Sequence, residues 1–238
     1  KIPFRICCDA NNLPFLTDSV PFVFCYATLH HFPDPLPVIN ETYRILSPGG
    51  YFFFDEEPYK RILHVNLYRG EKSYSPKKLK ASIIKKILDY FFSFSKRSSR
   101  GLEHGIVENE EISFAMWKRA LNCFIEKKAT LQSLNGITSE LFGPKNYPNF
   151  FLAYLLGGSI KGICRKAGNY VKKNGSIRQI LACPLCNKNA QTSNLIQKNT
   201  SLVCCRCGKL FPVIEGVAFL FSEQKFKDLY PDIFLNMR

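Results

Sequence analysis

The chain has 238 residues, 46% of them hydrophobic and 14% aromatic, with 33 Lys+Arg against 19 Asp+Glu. That length allows one ordinary domain and a small module, and the apolar content excludes a disordered chain. The charge is uneven: residues 1–60 carry 4 Lys+Arg against 7 Asp+Glu, residues 61–175 carry 21 against 8, and residues 176–238 carry 8 against 4. A basic middle of this kind favours an anionic partner, whether nucleic acid, a membrane surface or a phosphorylated substrate. The longest apolar stretch, residues 150–163, is too short and too rich in Gly to span a bilayer. The first residues lack the apolar core of a secretory signal. They also lack an initiator Met, and a longer parent chain is expected.

Residues 2–8 form an apolar run ending at Asp9 and read as a buried strand, broken by Asn11, Asn12 and Pro14. Residues 20–27 read as a second strand, and Pro33-Asp34-Pro35 as a turn. Residues 36–46 have helical spacing, with Leu36, Ile39, Tyr43 and Leu46 on one face. Ser47-Pro48-Gly49-Gly50 stops that helix, and residues 51–54 start a third strand. Asp55-Glu56-Glu57-Pro58 follows it. Apolar strands bounded by turns predict a parallel sheet with covering helices. Residues 75–94 predict a helix, with Pro76 in its first turn, Leu79, Ile83, Ile87 and Phe91 on its apolar side, and Lys77, Lys78, Lys80, Lys85 and Lys86 on the other. A second helix is expected over 110–123 and a strand over 124–132. Residues 147–167 resume an apolar pattern, and residues 172–176 read as a linker.

The ten cysteines divide into two groups. Cys7, Cys8, Cys25, Cys123 and Cys164 sit in apolar runs, where a thiol behaves as a small hydrophobe. The other five cluster late, which argues for a reducing compartment, here the cytoplasm, rather than a disulfide framework. Cys183-Pro184-Leu185-Cys186 and Cys204-Cys205-Arg206-Cys207 each supply a Cys-x-x-Cys pair, separated by seventeen residues. Two such pairs joined by a hairpin-sized insert suit a tetrahedral Zn²⁺ bound by four thiolates, and a site closed in this way is structural rather than catalytic. Cys183, Cys186, Cys204 and Cys207 are the expected ligands, with Cys205 a bystander or a substitute for Cys204. Four buried cysteines or two redox pairs are the alternatives. Gly208 follows the second pair, where positive φ is common.

The flanks of these cysteines, from Ile180 to Cys186 and from Leu202 through Phe211-Pro212-Val213 and Gly216 to Leu220, closely resemble the small zinc-ribbon protein that activates tRNA and protein methyltransferases. Residues 6–58 resemble a second family, the class I S-adenosylmethionine-dependent methyltransferases of the type-11 group. This second resemblance rests on Asp9-Ala10, Leu13-Pro14-Phe15, Leu29-His30-His31, Asp34-Pro35, Glu41, Arg44-Ile45-Leu46, Pro48-Gly49-Gly50 and Glu57-Pro58. It implies an α/β fold: a partial doubly wound, Rossmann-like sheet, to which the zinc ribbon is added. It further implies that Asp9 meets the adenine amino group of S-adenosylmethionine, that the Ala10 backbone N–H faces a ring nitrogen, and that Tyr26 lies along the cofactor. His31 and Glu57 are the candidate bases for a methyl transfer that is mostly positioning. Asp9 as a turn residue, His30 and His31 as plain loop residues, and Glu56 and Glu57 as solvated charges are the alternatives.

Ser19-Val20-Pro21-Phe22 departs from the family pattern at the strand entry. The family's Gly-rich loop and its ribose-binding acid would both precede residue 1, so an incomplete cofactor site is expected. The domain reading is a partial methyltransferase domain over 1–171, with a basic helical insertion at about 60–122, a zinc ribbon over 177–224 and a tail over 225–238. Its methyl acceptor is unidentified. A basic zinc-containing nucleic-acid binder, or a partner of another methyltransferase without catalysis of its own, is the alternative function.

Overall fold

The computed structural model describes residues 4–60, 64–65, 92–93, 112–133, 136–143, 147–170, 176–187 and 193–235. The basic helix expected over 75–94 falls almost wholly outside these residues. Where its span is described, Phe92–Ser93 (β5) is a strand, paired antiparallel with His64–Val65 (β4).

The methyltransferase-like half centres on Val20–Tyr26 (β2), the helix Leu36–Ile45 (α1) and Leu46–Pro58 (β3). β2 and β3 are parallel, the one parallel pair described in their sheet, as the apolar runs and the crossover helix require. The remaining strands are Glu126–Ser133 (β6), Thr138–Glu140 (β7) and Gly158–Arg165 (β8), in the order β2-β3-β8-β6-β7 among the described residues. All their pairings are antiparallel. The sheet is therefore mixed, not parallel as expected, because the stretch 147–167 splits at Gly157-Gly158 into a helix, Tyr147–Leu156, and a strand that runs back against β3.

The third strand is also longer than the sequence suggests. It begins at Leu46, and Ser47-Pro48-Gly49-Gly50 is taken up as an irregularity: Val20 pairs with Leu46, but Phe22 pairs with Tyr51. Gly49 has φ of +72°, and a Cβ there would meet the Tyr170 backbone nitrogen at 2.6 Å. The shift falls at Pro21, which β2 accommodates because it is the outer strand among the described residues and an outer strand can spare a ladder donor. Between the sheet and the helix Phe114–Ala120 lies a core of Leu29, Ile39, Leu46, Phe52, Phe54, Trp117, Leu121 and Phe124, each at most 1% exposed. Phe54 stacks on Trp117 with ring centroids 5.3 Å apart.

Arg5–Cys8 (β1) is the strand that goes elsewhere. It pairs in parallel with Val217–Leu220 (β12), Arg5 opposite Val217 and Cys8 opposite Leu220. The second sheet runs β1, β12, Leu210–Ile214 (β11), Ser201–Cys204 (β10) and Leu195–Lys198 (β9). Glu215 and Gly216, with φ of 48° and 76°, make the two-residue hairpin turn between β11 and β12. Phe4, Ile6, Cys8 and Phe15 pack on the core of this sheet, which includes Leu181, Leu202, Phe211 and Leu220. Of the tail expected over 225–238, the described residues to Leu235 carry two short helices, Glu223–Leu229 and Pro231–Leu235, joined at Tyr230. Phe226 and Tyr230 of this segment close over Phe219, and the Tyr230 hydroxyl lies 2.9 Å from the Cys7 thiol.

Candidate functional site

Two groups of chemistry-bearing residues stand out, one at the ends of β2 and β3 and one in the cysteine knuckles. The first is framed by a clamp. Glu41 and Arg44 project from α1 toward the loop after β1. Arg44 donates through Nη2 to the Leu13 carbonyl and through Nη1 to the Phe15 carbonyl, each at 2.8 Å. Glu41 accepts from the Leu13 N–H at 2.9 Å and holds the guanidinium at both of its oxygens. The order Leu13-Pro14-Phe15, Glu41, Arg44 in the sequence is therefore a loop-to-helix brace.

β2 ends in an open aromatic row, with Phe22, Phe24 and Tyr26 all more than half exposed. Beyond Tyr26 the chain turns through Ala27, at φ of 45°, into the short 3₁₀ turn Leu29–His31. Glu57 approaches this turn from the end of β3, and its side chain is fully buried. Its Oε1 accepts from the N–H groups of Thr28 at 2.7 Å and Leu29 at 2.8 Å. Its Oε2 accepts from the His30 N–H at 3.0 Å and lies 2.9 Å from His30 Nδ1. The carboxylate thus satisfies donors that the start of a helical turn leaves open. Three backbone N–H groups and a ring nitrogen share its two oxygens, so the candidate base Glu57 is here held by the 28–30 turn. The ring of His31 lies 4.2 Å from that of His30, and its Nδ1 is buried without a hydrogen bond.

Asp9 sits just past β1. Its Oδ1 accepts from the Asn11 N–H at 3.0 Å, the local turn that Asp favours. Its Oδ2 pairs with Lys225 Nζ at 2.5 Å. Burial pushes the Asp9 carboxyl up, but Lys225 and Asn11 outweigh it and hold it below the usual carboxylate value. Ala10 packs against the methyltransferase-half core. Tyr26, His31 and Glu57 thus lie at or just beyond the ends of β2 and β3, whereas Asp9 and Ala10 follow β1, which belongs to the other sheet. The Tyr26 ring is open, whereas the Asp9 carboxylate is already paired with Lys225.

In the second group, the thiols of Cys183, Cys186, Cys204 and Cys207 all lie within 4.8 Å of one another. Cys186 and Cys204 are 3.7 Å apart and Cys183 and Cys207 are 3.9 Å apart. Four sulfurs at about 2.3 Å around a tetrahedral Zn²⁺ would be separated by about 3.8 Å, whereas a disulfide would need about 2.05 Å. The donor set fits the metal. Burial pushes the Cys204 thiol up, but the Ser193 hydroxyl and the N–H groups of Cys207 and Arg206 bring it down to about 6. Gly208 has φ of +70° where the chain leaves the second knuckle. Cys205 is exposed and lies outside this group.

Against known proteins, the front of the chain gives the informative match. Residues 2–54 match the methyltransferase domain family. The tRNA U34 carboxymethyltransferase of Campylobacter curvus is 31% identical over 67 residues, 28% of this chain and 20% of that protein. The match therefore spans about a fifth of the curated relative's length. Among solved structures, an S-adenosylmethionine-dependent methyltransferase of Thermotoga maritima, a possible histamine N-methyltransferase, is similar over 67% of this chain and 61% of its own, at 18% identity and a TM-score of 0.35. A chain from the complex of a methyltransferase activator with a methyltransferase of Haloferax volcanii is similar over 67% and 60%, at 16% identity and a TM-score of 0.34.

The methyltransferase match covers β1, β2, α1 and most of β3, and it stops just before Glu57. Sequence reasoning named His30 only as a loop residue of the Leu29-His30-His31 motif and missed the contacts that join Glu57 to residues 28–30. An acidic residue three positions beyond an apolar strand was the only available signal, and it was shared with Asp55 and Glu56. No helix among the described residues is long and apolar enough to cross a membrane.

Proposed function

We propose that this chain is an S-adenosylmethionine-dependent methyltransferase with a structural zinc ribbon fused to it. The match of residues 2–54 to the methyltransferase domain carries the reading. The gathering of Tyr26, His30, His31 and Glu57 at the ends of two parallel strands supports it. When bound, S-adenosylmethionine would supply an activated methyl group. Tyr26 would line its pocket, with Asp9 and the Ala10 backbone toward its base. Cys183, Cys186, Cys204 and Cys207 would hold Zn²⁺, whose work is to close the knuckles. Zinc would in this way also hold β12, and through it β1, in place, which couples the ribbon to the loop carrying Asp9. The methyl acceptor, nucleic acid or another anionic molecule, would approach the basic middle of the chain.

Titration of the zinc-loaded chain with S-adenosylmethionine in a calorimeter tests the reading. Micromolar binding, about −8 kcal/mol, supports the reading and means that the residues present hold enough of the cofactor without the Gly-rich loop. No detectable heat at millimolar ligand removes the methyltransferase assignment from this chain.

A further inference from the structure

Glu57 does more than cap a turn, because one of its four partners is a titratable ring. Its carboxylate is an acceptor only, so the nitrogen that faces it, His30 Nδ1 at 2.9 Å, carries the proton in the neutral imidazole. Nε2, on the opposite side of the ring, is then left with its lone pair. Three backbone N–H groups fix the carboxylate before it meets the ring, and the His31 ring packs on the flank. The His30 side chain is 13% exposed, held but reachable. It stands directly after β2, and the Thr28 hydroxyl ties this turn back to the Tyr26 carbonyl at 2.6 Å. Cys25 is a further titratable group that the charge of this carboxylate reaches. Burial and then the charge of Glu57 push its thiol up to about 11, so it remains protonated and takes no proton from a substrate.

We infer that His30 Nε2 is the proton acceptor of the proposed methyl transfer, that Glu57 is its positioning residue, and that the methyl acceptor is accordingly a hydroxyl or N–H group rather than a carboxylate. This rests on the methyltransferase reading. A carboxylate is already deprotonated at neutral pH and gains nothing from a poised base, whereas a hydroxyl or N–H must shed a proton as it is alkylated. In the step, the acceptor's lone pair forms the new bond to the methyl carbon. The electron pair of the breaking carbon–sulfur bond stays on sulfur, so the sulfonium becomes a neutral thioether. The acceptor's proton passes to His30 Nε2, which becomes the second N–H of an imidazolium held by Glu57. Charge is conserved, and no oxidant or reductant is needed.

Two measurements on the full zinc-loaded chain test this. Long-range ¹H–¹⁵N correlation spectra of the histidine rings, assigned with His30→Gln, are expected to show His30 as the Nδ1–H tautomer. In Glu57→Gln the side-chain oxygen stays with the Thr28 and Leu29 N–H groups and the NH₂ turns to His30, giving up the bond from the His30 N–H and donating to Nδ1, so the tautomer is expected to invert to Nε2–H. A carboxylate that only caps the 28–30 turn and does not hold the ring would leave the tautomer unmoved, and the protection experiment below separates a ring held at the cofactor from one held elsewhere. Should Glu57→Gln not fold, the wild-type tautomer decides alone.

In the second measurement, diethylpyrocarbonate is expected to modify His30. S-Adenosylhomocysteine at about 100 Kd, which fills about 99% of sites, is expected to slow that reaction by at least about tenfold. An Nε2–H tautomer in the wild-type chain overturns the proposal. So does unslowed modification while calorimetry shows S-adenosylhomocysteine bound, a result that leaves the methyltransferase reading standing. Failure of S-adenosylhomocysteine to bind at all removes that reading, and the role of His30 with it.

Discussion

At the scale of single residues, the buried carboxylate of Glu57 is the side chain on which most depends. Glu57→Ala leaves three backbone donors and a ring nitrogen without their acceptor. At about 1–3 kcal/mol for each stranded group, partly recovered by water, a loss of about 3 kcal/mol or more is expected, read as a lower denaturant midpoint at unchanged slope. Asp9 makes a gentler case. Its carboxyl is held low by Lys225 and Asn11, so its contribution is complete above the unfolded carboxylate's titration and fades as pH falls through the lower folded value. Lys225→Ala is expected to reduce this acid-side loss, leaving the Asn11 bonds, and, because the lysine is 44% exposed, to cost less than about 1 kcal/mol at neutral pH. Thermal melts of both chains from pH 7 down to pH 3 make the comparison.

The two carboxylates were not equally legible in the sequence. A lone acid after a short strand suggested both a turn and a cofactor contact, and the Asn11 bond of Asp9 follows from neighbouring residues alone. Glu57 stands in an acidic run that looks solvated. Only the approach of the 28–30 backbone, far away in the chain, explains why it is buried while Glu56 is exposed.

At the scale of elements, local pattern and distant partner had separate effects. The strand–helix–strand unit β2–α1–β3 was readable, because its apolar runs and the 3.6-residue spacing of α1 need no knowledge of the rest of the fold. The start of β3 was not readable. Ser47-Pro48-Gly49-Gly50 has the composition of a loop, and its inclusion in a strand depends on β2 alongside and on Tyr170 crowding Gly49. The split at Gly157-Gly158 was likewise hidden in an apolar stretch. Gly158 adopts φ of +152°, and a Cβ there would run into the backbone of Gln132 and Ser133. Gly158→Ala is expected to destabilise the chain by more than about 2 kcal/mol, through strain and a displaced β6, and a thermal melt measures it. The cysteine knuckles were the most legible feature, because metal-ligand spacing is short and local, and the four thiols do converge.

At the scale of the whole molecule, the two sheets are joined by an exchange of chain: β1 precedes the methyltransferase core in sequence but belongs to the cysteine-bearing sheet. The single Trp of the chain, Trp117, lies in the methyltransferase-half core with Phe54 and Phe124. Metal analysis is expected to find one zinc per chain. A strong chelator is expected to release it and melt β9 to β12 by circular dichroism, with little change in Trp117 emission. If Trp117 emission shifts together with the far-ultraviolet signal, the two cores unfold as one cooperative unit.

The pairing of Arg5 with Val217 also sets a clock. A ribosome adding about 5–20 residues per second finishes β1 roughly 10–40 s before it makes β12. Throughout that interval the strand Arg5-Ile6-Cys7-Cys8 lacks β12, its strand partner among the described residues, while β2, α1 and β3 already have one another. β1 is therefore made before these elements and paired after them. A chaperone that shields short apolar strands is expected to raise the soluble yield of the wild-type chain more than that of a circular permutant in which β1 follows β12.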